Sequence, residues 1–310
     1  MLTDWKTLLQ PAATPPTVGE EQLRFQGLEP DPVDEWQRML RFAALGPADW
    51  AAMAETVEPL FRRGTELVVN VYDYLSSVPE TAAILGWEEF VDEAHLEERR
   101  RFFTIWLART LGMDTSAEFA DYLFRAGIIH AGHGPRRIHV PHAYVRVSVG
   151  LVLSMFADYM RDAHLPGETV AKAMMGWNKY LSVQLNQMEL GYKVARELDE
   201  GTFRVPVIVY GLLRPKMPQR ETWVAVHADA TVHEVMRKFF NYHPVARREA
   251  LEVVWEGHEK PDSLWMEVVP TYRLKHGWRL LVNGREMEYL QGVQTPVRAD
   301  DRLELFPPGR

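Results

Sequence analysis

The hydrophobic period of this chain changes once, at Gly201, and that single change limits what either half can fold into. Before it, apolar residues recur every three to four positions, the spacing of one face of a helix; after it they alternate, the spacing of one face of a strand. From Val33 to Asp199 the helical pattern runs through Trp36, Met39, Leu40 and Phe42. It continues in Trp50–Leu75, Leu96–Leu111, Ser116–Gly132, His142–His164 and Thr169–Leu198, with Gly and Pro between them. This predicts an all-α domain of roughly six helices over 33–200. The preceding residues 1–32, with Pro11, Pro15, Pro16, Pro30 and Pro32, hold too many helix breakers for a packed element and read as an N-terminal arm.

Past the boundary at Glu197–Phe203, strands are expected at Arg204–Leu213 and Thr222–His227. Thr231-x-x-Glu234 has the form of a capping box opening an apolar helix through Val232, Val235, Met236, Phe239 and Phe240. Further strands read at Leu251–Trp255, Leu264–Val269 and Trp278–Val282. Asn283-Gly284 suits the positive φ angles of a tight hairpin turn, Met287–Leu290 is the expected return strand, and Arg302–Phe306 the last. One helix laid on a mixed sheet makes 203–310 an α+β domain.

The chain has 310 residues, 46% of them hydrophobic, enough for two ordinary cores. It contains no cysteine, which removes disulfides, thiolate catalysis, cysteine zinc sites and cysteine-ligated clusters together. Any metal must sit on His, Asp, Glu or Tyr. The net charge of −8 is uneven, with 19 Lys/Arg against 29 Asp/Glu over 1–202 and 16 against 14 over 203–310. Neither part has the basic excess that phosphate contacts require, so nucleic-acid binding is not expected. No apolar run reaches bilayer length and the N-terminus lacks the layout of a signal peptide, so the expectation is a cytoplasmic protein without a membrane partner.

The segment Ala117–Tyr144 carries the most chemistry. It puts His130 at the end of an amphipathic helix, breaks the chain at Gly134-Pro135, and opens the next long helix with Pro141-x-x-Tyr144. A lone histidine at such a place can be an ordinary capping or core residue. His133, His139 and His142 crowd the same stretch and allow a non-heme histidine cluster, although their spacing does not repeat a helical face. Read as a whole, Ala-Gly-Ile-Ile-His130 with its flanking turn resembles the protoglobins and the globin domains of globin-coupled sensors. The upstream stretch Leu67–Pro79, with Tyr72 and Tyr74, is similar to that family's second helix.

The resemblance, over about 33–196, implies a globin fold holding heme b, with His130 as the proximal iron ligand and His133 as the alternative one turn away. It places Tyr72 in the distal position, where a phenol can donate a hydrogen bond to a bound gas, although Tyr72 or Tyr74 can equally be a packed aromatic. Tyr122 and Ala126 share the helix face of His130, and Tyr144 opens the next helix. Arg99, Phe102, Phe103 and Trp106 lie at helical spacing on the segment expected to cover the distal side, in a register the sequence leaves open. A diatomic gas is the implied ligand.

The closing segment Trp278–Pro308 looks like the end of the ubiquitin-like β-grasp sulfur carriers, the molybdopterin-synthase small subunit and the thiazole-synthesis carrier. The shared features are Val282-Asn283-Gly284, the acidic turn Asp300-Asp301, the strand Leu303–Phe306 and Pro307-Pro308. Residues 241–277 match nothing in those carriers. Where the carriers end in Gly-Gly, this sequence reads Pro308-Gly309-Arg310, which argues against carrier chemistry while keeping the fold.

The expected whole is a gas sensor that signals to a protein partner through 203–310, with the long helix Thr169–Leu198 as lever and the last two globin helices, along Val147, Leu151 and Met155, available for a homodimer. The alternatives are a heme enzyme acting on peroxide, nitric oxide or a small substrate, with Arg99 as its distal acid–base candidate, a heme-regulated sulfur carrier, and a globin without heme.

Overall fold

The computed structural model describes residues 18–259 and 266–309. Residues 1–17 of the expected arm, the start of the expected strand Leu264–Val269, and Arg310 lie outside the described residues. The chain divides into a helical unit, Pro30–Arg196, and a second unit that joins the residues up to Glu29 with those from Glu197 onward.

The helical unit is built from α1 (Pro32–Phe42), α2 (Pro47–Arg62), α3 (Gly64–Ser77), α4 (Pro79–Leu85), α5 (Glu93–Leu111), α6 (Ala117–His130), α7 (His142–Asp162) and the body of α8 (Gly167–Leu198). Its helix starts follow from local chemistry. The side chains of Asp31, Asp92 and Ser116 accept backbone N–H groups at the starts of α1, α5 and α6, and Pro32, Pro47 and Pro79 occupy first positions where no amide proton is needed.

The single helix expected over Trp50–Leu75 is two, because the chain leaves helical geometry at Arg63 (φ −98°, ψ 8°) before Gly64, whose missing Cβ leaves room for Leu107. The short α4 was not expected at all, because its seven residues show too little periodicity to read. Trp36, Phe119, Phe156, Trp177 and Tyr180 are fully buried at the centre. Their buried polar atoms are spent locally: Trp177 Nε1 donates to Thr56 Oγ1 at 3.0 Å and Trp36 Nε1 to the Thr115 carbonyl at 3.1 Å.

One helix, α7, is long and apolar enough by length and composition to cross a bilayer, contrary to the expectation that no segment has that length. Small and polar residues break its apolar run in the sequence without lowering its mean hydropathy enough, and only 22% of its most apolar window is buried.

The second unit is a β-grasp. Its five-stranded mixed sheet has the order β2-β1-β7-β5-β6, from β1 (Phe203–Val209), β2 (Glu221–Val226), β5 (Arg279–Val282), β6 (Arg285–Glu286) and β7 (Leu303–Phe306). β1 and β7 are parallel and the other pairs antiparallel. Helix α9 (Val232–Tyr242) buries Val235, Met236, Phe239 and Phe240 in the core shared with Val205, Val207, Leu303 and Leu305.

Three details depart from the sequence reading. Thr231 stands at the start of α9 but its side chain makes no capping bond; the orphan amide of Val232 is taken by the Thr295 carbonyl at 2.9 Å. The return strand expected at Met287–Leu290 is the two-residue β6 followed by a 3-10 turn, Met287–Tyr289, although the preceding Asn283-Gly284 turn has the expected positive φ angles of 52° and 81°. The unmatched stretch holds a second helix, α10 (Pro244–Ala250), and a separate hairpin of β3 (Leu251–Glu259) and β4 (Met266–Leu274).

The described part of the arm is a packed element of this unit. Phe25 bridges Tyr272 on β4, with its N–H on the Tyr272 carbonyl at 2.7 Å and its carbonyl on the Tyr272 amide at 2.9 Å, and its fully buried ring meets Phe240 at 5.7 Å. Gly292 (φ 60°) makes the approach possible, since a Cβ there would lie 2.1 Å from the Gln22 carbonyl oxygen. Removing such a ring leaves a cavity as well as lost transfer energy. Phe25→Ala is expected to destabilise the β-grasp unit by about 3–5 kcal/mol, measured as lost hydrogen-exchange protection in peptides covering β1 and β7. Unchanged protection there would show that the arm merely rests on the surface.

Candidate functional site

Three helices bring the chemistry-bearing residues together. α3 supplies Tyr72, α5 supplies Arg99, Phe102, Phe103 and Trp106, and α6 supplies Tyr122, Ala126 and His130. The Tyr72 and Phe103 rings meet edge to face at 6.0 Å, and Phe103 lies 5.0 Å from Trp106. The Tyr72 hydroxyl donates to the Arg99 carbonyl at 3.1 Å and the Tyr122 hydroxyl to the Phe102 carbonyl at 3.2 Å, so α3 and α6 are each pinned to α5 by a phenol. Burial drives the acidity of both phenols well below the ordinary range, and both stay neutral donors.

The register left open on α5 resolves into different contacts. Phe103 is the residue against Tyr72, whereas the Phe102 ring is 47% exposed and contributes its carbonyl. Trp106 turns its indole N–H to Gln184 on α8 at 2.8 Å. Tyr144 lies in the first turn of α7; among the described residues no ring contact or side-chain hydrogen bond joins it to the others.

His130 ends α6 with its Nδ1 at 2.7 Å from the Ala126 carbonyl. A carbonyl only accepts, so Nδ1 carries the proton and Nε2 keeps its lone pair. Burial lowers the basicity of the imidazole, against the opposing pull of the Ala126 bond, with Arg99 adding to the lowering. The result is a neutral ring of fixed tautomer, the state a metal-ligating histidine needs.

His139 and His142 are committed elsewhere, His139 Nε2 to the Tyr192 hydroxyl at 2.7 Å and His142 Nε2 to Glu189 at 3.2 Å. Among the described residues no group of three or more His, Asp or Glu is placed to hold a metal ion, so the non-heme cluster has no support. His133 lies beyond the end of α6, in the turn that follows.

A model of the Protoglobin family matches residues 33–192. The chain belongs to the protoglobin family. Two solved structures are also similar. The globin domain of the Geobacter sulfurreducens globin-coupled sensor shares 20% identity, with 51% of this chain and 97% of that one covered and a TM-score of 0.41. Small archaeal modifier protein 1 from Methanosarcina acetivorans shares 19%, with 35% and 96% covered and a TM-score of 0.26. No curated protein matches the chain.

At the level of the family this makes the helical unit a heme-binding globin domain. The protoglobin residues present fit that group. A neutral imidazole with a free Nε2 lone pair stands at a helix end, Tyr72 and Phe103 form an aromatic wall, and Arg99 is a part-buried cation whose Nε has no hydrogen-bond partner.

Two features escaped the sequence reading. His95 is buried edge-on against Trp87 at 5.2 Å, behind Tyr72, whose ring is 6.5 Å from Trp87. The other is the seat of α6. A Cβ on Gly127 would lie 1.9 Å from the Met188 carbonyl oxygen, and one on Gly191 1.9 Å from that of Phe124, so α6 and α8 touch backbone to backbone one turn before His130. The glycine in Ala-Gly-Ile-Ile-His130 was the visible signal.

Gly127→Ala tests that seat by its sign. Propensity alone would stabilise the helix by about 1 kcal/mol, whereas a backbone clash that cannot relax is expected to cost about 1–3 kcal/mol net. A denaturant titration giving a more stable variant would refute the close crossing.

Proposed function

We propose that this protoglobin binds heme b through His130 and serves as a diatomic-gas sensor, reporting to a protein partner through its β-grasp domain. The observation that carries the reading is the imidazole of His130, neutral and fixed by the Ala126 carbonyl, within the matched globin segment and on the helix that Tyr122 pins to α5, whose Phe103 meets Tyr72. When bound, the heme supplies the reversible gas-binding iron. The chain's own residues supply the fifth ligand (His130), an apolar wall (Phe103, with Trp106 and Tyr122 beside it) and one neutral donor (Tyr72). Ala126 holds the tautomer of the ligand.

Domain limits near 33–200 and 203–310 belong to the same proposal, and α8 is its route for the signal. α8 lies against α6 at Gly191, and its last residues, Glu197 and Leu198, belong to the β-grasp unit. There Leu198 is in the core, Arg237 bonds Glu197 at 3.2 Å, and the buried Lys238 ammonium donates to the carbonyls of Glu200 at 2.7 Å and Ala225 at 2.9 Å. Docking is favoured over sulfur carriage because Pro307 and Pro308 pack against Gly211 and Gly277. A homodimer through α7 and α8 has the support of Val147, 67% exposed on a mostly unburied α7.

The absorption spectrum of the purified protein, with and without reductant and carbon monoxide, tests the core of the reading. His130→Ala is expected to abolish stoichiometric heme uptake or leave a weak, spectrally altered complex, with His133→Ala nearly unaffected. Exchanged effects would move the ligand one turn along the chain.

Tyr72→Phe is expected to speed oxygen release while leaving carbon monoxide release nearly unchanged, because oxygen is the more polar ligand. The Tyr72 proton already rests on the Arg99 carbonyl, so the phenol gains only the difference between two bonds. One hydrogen bond is worth about 0.5–1.5 kcal/mol, and the effect on the off-rate is expected at the lower end of roughly two- to tenfold. Equal changes for the two gases in flash photolysis would assign Tyr72 a steric role.

A further inference from the structure

We propose that Arg99 is an anion-binding residue of the globin unit, holding either a propionate carboxylate of the heme or an exogenous anion beside it. The inference rests on the heme reading above and adds the chemical class of a second occupant.

A guanidinium is always charged and carries five donors. Withdrawn from water without an anion it is one of the costlier things a fold can hold. The Arg99 side chain is 19% exposed and its Nε is shielded with no hydrogen-bond partner. The nearest carboxylate, Glu98, is 3.8 Å away, outside hydrogen-bond range, and Glu98 already accepts from Arg136 Nε at 2.9 Å.

The Phe102 ring offers partial compensation at 6.0 Å, the limit of a useful cation–π contact. Arg109 and Arg100 each have a carboxylate within hydrogen-bond range, although the Arg100 Nε, like that of Arg99, has no hydrogen-bond partner. Arg109, 27% exposed, bonds Asp114 at 2.8 Å, and Arg100, also 27% exposed, has Asp73 at 3.4 Å.

The place is specific as well. The Arg99 backbone carbonyl holds the Tyr72 hydroxyl, and its charge reaches Tyr72, His95 and His130, all of them neutral groups. A cation with no carboxylate in hydrogen-bond range thus acts on both the phenol of α3 and the imidazole of α6, and at Tyr72 it is joined by Arg100.

The test uses the full chain loaded with hemin, as wild type, Arg99→Gln and Arg99→Lys. Ferric protein is titrated with azide, ferrous protein with carbon monoxide as the neutral control, and heme transfer to excess apomyoglobin is timed. One further wild-type sample is loaded with the dimethyl ester of hemin. A hydrogen-bonded charge is worth about 1.5–3 kcal/mol, so the loss is expected at about tenfold or more.

An exogenous anion predicts that loss in azide affinity for Arg99→Gln, partial recovery in Arg99→Lys, and unchanged carbon monoxide binding. A propionate predicts instead unchanged azide affinity, faster heme transfer from Arg99→Gln, and equally fast transfer of the dimethyl ester from wild type. A variant that loads with heme and matches wild type in both measurements overturns the proposal while leaving the heme reading intact. A wild type that takes up no hemin overturns both.

Discussion

The helical unit depends on a place where two backbones touch. α6, which ends in His130, is seated on α8 through Gly127 and Gly191, with no side chain between them. Side chains hop between rotamers and main chains of packed helices do not, so a residue carried one turn from such a contact inherits the stiffness of the helix pair. The same turn supplies the Ala126 carbonyl that fixes the His130 tautomer. Seat and tautomer are therefore set by backbone groups, which substitution at other side chains cannot easily disturb. The loop after His130 and the start of α7 are held to the same stretch of α8 by His139 on Tyr192 and His142 on Glu189, so the chain on both sides of His130 refers to one helix.

Much of this was legible. The period change at Gly201 marks where helices give way to strands, and the His130 helix end shows in its apolar face and the glycine-proline break after it. The helix that carries Tyr72 was legible from its apolar spacing. What stayed hidden has physical reasons. Phe102 and Phe103 are adjacent, one-quarter turn apart on α5, and only packing against Tyr72 distinguishes them. A break at Arg63 that costs one non-helical residue leaves the apolar period of α2 and α3 in phase. Phe25 is buried through a partner nearly 250 positions away, which no local pattern can report.

The capping box at Thr231 failed for a related reason. The motif is a local solution to an orphan amide, and it is redundant wherever the fold brings a better acceptor. In the β-grasp unit the Thr295 carbonyl takes a neighbouring orphan, the Val232 amide, delivered by the segment before β7, and the helix start is anchored without the Thr231 side chain. Local rules describe the chain's needs correctly. Tertiary structure decides which group meets them.

The charges around the globin site follow a pattern that the separate residues do not reveal. Burial lowers the basicity of His95 and His130 and weakens the acidity of Tyr72 and Tyr122, so four titratable side chains are held neutral. Arg99 acts in the same direction on both histidines, since a fixed positive charge disfavours a second one nearby. On Tyr72 it works against burial, which prevails. The neutral groups are bracketed by charges of both signs: Arg100 joins Arg99 at Tyr72, Arg109 faces Tyr122, and at His95 the pull of Arg99 and Arg136 is opposed by Glu98 and Asp92. Of these charges only Arg99 acts on His130, so in the proposed reading an anion beside it would gain most from that charge and an apolar gas least.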